Sequence, residues 1–119
     1  MSTYVKTNLS GSVNGKGIAI SGSTTANGVT VHTATSGSGN WDEVWLWAVN
    51  SGSSVSAKLT VEWGETTAPD GNIEVYVPAE SGLLLVAPGL LIQNSLLIKA
   101  FANPAGAVIL HGFVNRISP

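Results

Sequence analysis

The stretch Trp41-Asp42-Glu43-Val44-Trp45-Leu46-Trp47-Ala48-Val49 constrains this chain more than any other. Read as a strand, with side chains alternating between faces, it puts Trp45 and Trp47 on one side and Val44, Leu46 and Ala48 on the other. Beyond Asp42 and Glu43 neither side is polar. Strands apolar on both faces belong in sheets that are covered on both sides, commonly by helices. No run in this chain combines helical periodicity with capping residues. Loops, an N-terminal arm or another subunit are the remaining covers.

The rest of the chain reads as short strands separated by turn signals. Gly28 to Thr35 is a strand with Val29 and Val31 on one face and Thr30 and His32 on the other. Val55 to Gly64 alternates cleanly: Val55, Ala57, Leu59, Val61 and Trp63 point inward, Ser56, Lys58, Thr60 and Glu62 outward. Pro69-Asp70-Gly71 is a turn, since proline presets φ and glycine accepts positive φ. After it, Ile73, Val75 and Val77 face inward and Glu74 and Tyr76 outward. Leu83 to Ile98 is broken by Pro88, Gly89, Gln93, Asn94 and Ser95, so it reads as two strands around a turn and not as a membrane helix. On the last strand, Gly106 to Ile117, Val108, Leu110 and Val114 share a face with Gly112; Ile109, His111 and Phe113 share the opposite one. That strand is the second with two largely apolar faces.

The expected fold is all-β, an antiparallel sandwich of about seven to nine strands. Jelly-roll and immunoglobulin-like strand orders are both open, and a closed barrel is the rival. Residues 29–119 form the sandwich domain. Residues 1–28 are an N-terminal arm or hairpin, with Leu9 to Val13 and Ile18 to Ile20 divided by Asn14-Gly15, a strong hairpin pair.

Composition points away from most chemistry. Only 10% of the 119 residues are charged, whereas 44% are hydrophobic; soluble domains usually carry about 25% charged residues. A surface so poor in charge suits coverage by partners, because interface cores are depleted in Lys, Glu and Asp. Lys6, Lys16, Lys58, Lys99 and Arg116 are scattered and form no phosphate-neutralising stripe, so nucleic acid is not an expected partner. No apolar leader or membrane span is read, so no membrane partner is expected. There is no cysteine, which excludes disulfides and Cys-ligated metal.

His32 and His111 stand on different strands outside any HExxH or HxH pattern, and there is no GxSxG elbow. A lone strand histidine is more often structural than catalytic. Glu62 and Glu74 would point outward, near each other if their strands pair, but a glycosidase pair needs a cleft. Asp70-Gly71-Asn72 lacks the ligand series of a calcium loop, and "GSVNGKG" lacks the frame of a phosphate loop. No catalytic residue, cofactor or metal is assigned, and the expectation is a non-enzyme.

The tryptophans carry three readings. Trp45 and Trp47 are core, with Val44 and Leu46 at a subunit contact; or they form a protein–protein interface; or they stack on sugar. Candidate interface residues are Trp45, Trp47, Ile109 and Phe113, with Val5, Leu9 and Val13 of the arm.

"WDEVWLWAVNSGSSVSAKLTVEWG", "PDGNIEVYVPAESGLLLVAPGLLIQNS" and "AVILHGFVNRIS" together resemble small β-sandwich virion proteins of tailed bacteriophages, nearest in class to a capsid decoration, or cement, protein. The resemblance runs from about Val29 to Ser118, in overall texture and phrase order. It implies a homo-oligomer, often a trimer, bound to the major capsid protein on the outer surface of a virion assembled in the host cytoplasm. A tail, fibre or baseplate component has similar texture, and a small carbohydrate-binding module is the alternative outside virions.

Overall fold

Alternating side chains, punctuated by glycine, proline and asparagine turns, build an all-β sandwich. The computed structural model describes residues 2–119. Its nine strands are β1 (Thr3–Asn8), β2 (Ile18–Ala19), β3 (Val29–Thr33), β4 (Trp41–Val49), β5 (Ala57–Trp63), β6 (Asn72–Val77), β7 (Leu84–Ile92), β8 (Leu97–Asn103) and β9 (Ile109–Ser118). A single 3₁₀ turn, Thr25–Asn27, precedes β3. One sheet runs β1-β9-β4-β7, with β2 also on β9; the other runs β3-β8-β5-β6. All pairings are antiparallel. Counting β1 and β2 as one interrupted edge strand, this is the order of an eight-stranded jelly roll, with the chain crossing between sheets after β2, β3, β4, β6, β7 and β8.

The N-terminal residues, expected as an arm or hairpin, are laid along one edge of the first sheet. β1 pairs with Phe113 to Ser118, and β2 with Ile109 and Leu110 further along the same strand. Asn14 and Gly15 turn the chain between them, both with positive φ (55° and 81°). The segments flanking that turn do not pair with each other. Leu9, Ile18 and Ile20 are instead driven into the core. Leu9, expected at an interface, is 1% exposed and packs inside the sandwich.

The core is built of modest side chains. Val44, Leu46, Ala48, Leu110 and Val114 from the first sheet face Val31, Ala57, Leu59, Val61, Ile98, Ala100 and Ala102 from the second. This decides the two-sided stretch. The reading that buried Trp45 and Trp47 and left Val44 and Leu46 at a subunit contact is reversed: Val44, Leu46 and Ala48 are fully buried, and both tryptophans turn outward. Facing sheets stand about 10 Å apart, and an inner layer of Ala, Val and Leu has no room for stacked indoles.

One polar cluster bridges the two layers. Asp42 of β4 is fully buried and takes four hydrogen bonds. Arg116 donates from Nε to Oδ1 (2.8 Å) and from Nη2 to Oδ2 (3.0 Å). The Thr35 N–H donates to Oδ2 (3.0 Å), and His32 Nε2 lies 2.8 Å from the same oxygen. His32 Nδ1 accepts from the Ser10 N–H (2.9 Å), so the ring proton that reaches Asp42 sits on Nε2. His32 was expected to point outward, opposite Val31. A bulge between Thr30 and His32 breaks the alternation and turns both Val31 and His32 inward.

Burial alone would raise the Asp42 pKa. The hydrogen bonds from Arg116, His32 and Thr35 and the Arg116 charge outweigh it and hold the carboxyl below its ordinary value. Arg116 is correspondingly raised by its bond to Asp42. Because the folded pKa of Asp42 is depressed, its contribution to stability is complete above the unfolded value of about 3.9. It is lost as pH falls below that value toward the folded one. Asp42→Ala strands His32 and Arg116 without their acceptor and is expected to cost about 3–5 kcal/mol in urea unfolding at neutral pH. Asp42→Asn is expected to flatten the acid limb of the stability profile below about pH 4; an unchanged limb in that variant would assign the acid sensitivity to other groups.

Candidate functional site

The outward faces of the two sheets differ. On the second sheet the face is polar along β5 and β6, with Lys58 paired to Glu74 (3.4 Å) in solvent. On the first sheet it is mainly aromatic and aliphatic, in rows set by register. Tyr4, Ile117 and Trp41 form one cross-strand row; Lys6, Asn115, Glu43 and Leu91 form the next. Asn8, Phe113 and Trp45 follow, then His111, Trp47 and Leu85.

Trp45, Trp47 and Phe113 form the centre. Ring centroids lie 6.1 Å apart for Trp45–Trp47, 6.2 Å for Trp45–Phe113 and 6.0 Å for Trp47–Phe113. Interplanar angles are 18°, 15° and 29°, so three rings overlap as near-parallel offset plates. Lys6 Nζ stands 4.5 Å from the Phe113 centroid, a cation–π contact at the rim. Trp45 Nε1 donates to Glu43 Oε1 (2.9 Å), and Asn115 Nδ2 donates to the same oxygen (3.1 Å). These two bonds, Trp45 first, lower the Glu43 pKa against a small opposing effect of burial. The indole is thereby fixed in rotation, with its polar edge satisfied.

Glycine makes the platform possible at two places. A Cβ on Gly89 of β7 would stand 3.0 Å from Trp45 Cζ2, and Gly89 has φ +76°, so the indole lies directly on bare backbone. A Cβ on Gly112 of β9 would collide with the Trp45 carbonyl oxygen, so β9 can approach β4 there only without a side chain.

Of the residues expected at an interface, the structure brings Trp45, Trp47 and Phe113 together. Ile109 shares their face at the far end of β9, where Gly17 of the N-terminal segment packs against it and His111. Val5 pairs with Arg116, so it points to the other face of β1, exposed at the edge. Val13 is exposed in the loop between β1 and β2, and Leu9 is internal. Tyr4, Trp41, Leu91 and Ile117 belong to the surface and were not singled out from sequence. Period two from Trp45 reaches Trp41, and from Phe113 reaches Ile117. Tyr4 and Leu91 become neighbours only through strand pairing.

Two polar groupings compete for attention. Ser10, His32 and Asp42 have the residue types of a hydrolytic triad, but His32 is buried and its Nδ1 is occupied by the Ser10 backbone N–H. The Ser10 hydroxyl accepts from the Thr33 N–H (2.6 Å). No nucleophile–base pair exists in this cluster. Glu62 and Glu74 share the outer face of the second sheet but are not register partners: Glu62 lies opposite Asn72 and Glu74 opposite Thr60.

The chain matches no protein-family model, no curated protein and no solved structure.

Gly89→Ala is expected to lift Trp45 from the sheet: positive φ alone costs about 1–2 kcal/mol for an L-residue, and the new methyl meets the indole. Loss of stability at that level with a red-shifted tryptophan emission is the expected result. Native emission and stability in that variant would mean that Trp45 does not lie on β7.

Proposed function

We propose that this protein is a non-enzymatic assembly subunit that docks through the outer face of its first sheet. The observation that carries the reading is the contrast between its two outer faces. The outer face of the second sheet is polar along β5 and β6, as expected of a two-layer sandwich. The first instead presents Tyr4, Trp41, Trp45, Trp47, Leu91, Phe113 and Ile117 with no covering layer among the described residues. An aromatic cluster bordered by Lys6, Glu43 and Asn115, with Tyr4, Trp41 and Ile117 beyond them, has the anatomy of a docking site.

The resemblance of the chain to small virion proteins of tailed phages gives this surface a setting. In that reading the protein is a capsid decoration protein, a homo-oligomer bound to the major capsid protein on the outer shell. Trimeric state comes from the resemblance alone. Many identical copies on a lattice convert modest single contacts into strong total binding and stabilise the shell. The open edge of β1, exposed along its length, is available for strand addition by a neighbour. Jelly rolls occur in capsid proteins and in lectins alike, so the fold by itself favours neither.

A specific observation favours the second reading, a carbohydrate-binding module. Three near-parallel rings, one locked by Glu43, are a preorganised stacking platform with hydrogen-bonding groups beside it. The two readings separate in solution. The assembly reading expects an oligomeric mass at micromolar concentration and tryptophan emission protected from acrylamide. The double variant Trp45→Ser with Phe113→Ser should then be a folded monomer that no longer sediments with capsid shells. A monomeric native protein with freely quenched tryptophans sinks the oligomer, and glycan-dependent protection of the emission would transfer the surface to sugar binding.

A further inference from the structure

A second feature, on the opposite sheet, has no role in the association surface. Glu62 of β5 was expected to be an outward, solvated residue. It does point to the outer face of the second sheet, but it is 1% exposed. Its cross-strand neighbours are Lys99 on β8 and Asn72 on β6. Gly28, next to the 3₁₀ turn, lies over it: a Cβ there would be 3.6 Å from Oε1.

Neither carboxylate oxygen of Glu62 has a hydrogen-bond partner, and neither does Asn72 Oδ1 beside it. Lys99 is on the adjacent strand, but its ammonium makes no ion pair with Glu62 within 4.0 Å. Three buried acceptors on two register-paired residues thus lack a donor. Buried polar atoms left without partners cost free energy, because they give up water and gain nothing in exchange. Asp42 illustrates the ordinary solution, with four donors around one carboxylate.

Glu62 also lines a cavity of about 260 Å³. Leu96 and Leu97 give it apolar walls, Glu65 and Ser95 add oxygen atoms, and Lys99 lines it as well. The volume lies below the roughly 300–1,000 Å³ of drug-sized ligand sites, so it suits one side chain or a small amine. Apolar walls beside one buried, unpartnered carboxyl match a cation on an alkyl stem better than a bare metal ion, which needs oxygens in place of the leucines.

We propose that the Glu62 cavity is a socket for an alkylammonium or alkylguanidinium group, with Glu62 as its counter-ion and Leu96 and Leu97 as walls for the stem. Lys99 swings aside as the ligand enters, since its charge would otherwise compete for the carboxylate. The cation comes either from a free small amine or from a lysine or arginine side chain of a partner.

The test is an amide-shift titration of the full chain with n-butylguanidinium, using neutral n-butylurea as its shape control. Expected are saturable shifts at Gly64, Glu65, Ser95 and Leu96 with the cation and none with the urea. Glu62→Gln should weaken binding about tenfold or more, as for loss of a charged hydrogen-bond acceptor, and Lys99→Ala should tighten it. Glu62→Leu should lose binding with a Tm no lower than native, because the unpartnered buried oxygens are gone. Agmatine and Nα-acetyl-arginine-N-methylamide separate the sources: tighter binding of the first assigns a free amine, of the second a partner's side chain. Equal shifts with butylurea, undiminished binding in Glu62→Gln, or shifts with calcium but not with the guanidinium would overturn the proposal. No shift with any cation would overturn it too, leaving ordered water as the partner of Glu62.

Discussion

A single buried carboxylate organises this sandwich. Asp42 has no solvent exposure, so every lone pair must find a donor inside the protein. Its donors come from three places: Arg116 on the neighbouring strand of its own sheet, His32 on the opposite sheet and the Thr35 backbone in the intervening loop. His32 in turn holds the Ser10 backbone, which ties the N-terminal segment to the same point. An apolar core is non-directional and tolerates sliding of one layer over another. A four-donor carboxylate tolerates none, because moving either sheet leaves a charge unpaired in the interior.

The orientation of β4 follows from this. With Asp42 inward, period two sends Val44, Leu46 and Ala48 inward and Glu43, Trp45 and Trp47 outward. A register slip of one residue would bury Glu43 and the indoles and expose Asp42. Packing agrees with the polar cluster, since Leu46 lies opposite Gly112 and Ala87 and shares its layer with Ala48, Ala100 and Ala102. The aromatic platform is therefore the outward consequence of an inward constraint. Its rings settle on one another and on Gly89 because the core has no volume for them.

Asp42 and Glu62 are two buried carboxylates solved in opposite ways. One is saturated by donors from the protein, and the other has none. The first is accounted for as architecture. The second is a cost that packing alone does not explain, on a strand whose outward Lys58 pairs with Glu74 in solvent while Thr60, like Glu62, is buried. The molecule thus carries distinct features on its two outer faces, an apolar one on the first sheet and an electrostatic one on the second.

Much of the fold was legible in the chain. Alternation located Ala57 to Trp63 and Asn72 to Val77, the Pro69-Asp70-Gly71 turn closed them into a hairpin, and the lack of helical periodicity set the all-β class. The same local rule showed that β4 and β9 are apolar on both sides. It could not say which side is which, because a strand's own residues hold no information about the volume available between two sheets. It missed His32, since a bulge is a property of the pairing and not of the strand. It misread Leu9 as surface and Glu62 as solvated, since burial of both depends on segments distant in sequence: β3, which holds the Ser10–Gly11 backbone beside Leu9, for one, Gly28 and Lys99 for the other. Sequence alone determined most of the strands and turns beyond residue 28 and the surplus of apolar surface. Tertiary structure decided which residues form that surface, because facing, register and burial are set by contacts between strands that the chain's own order does not place side by side.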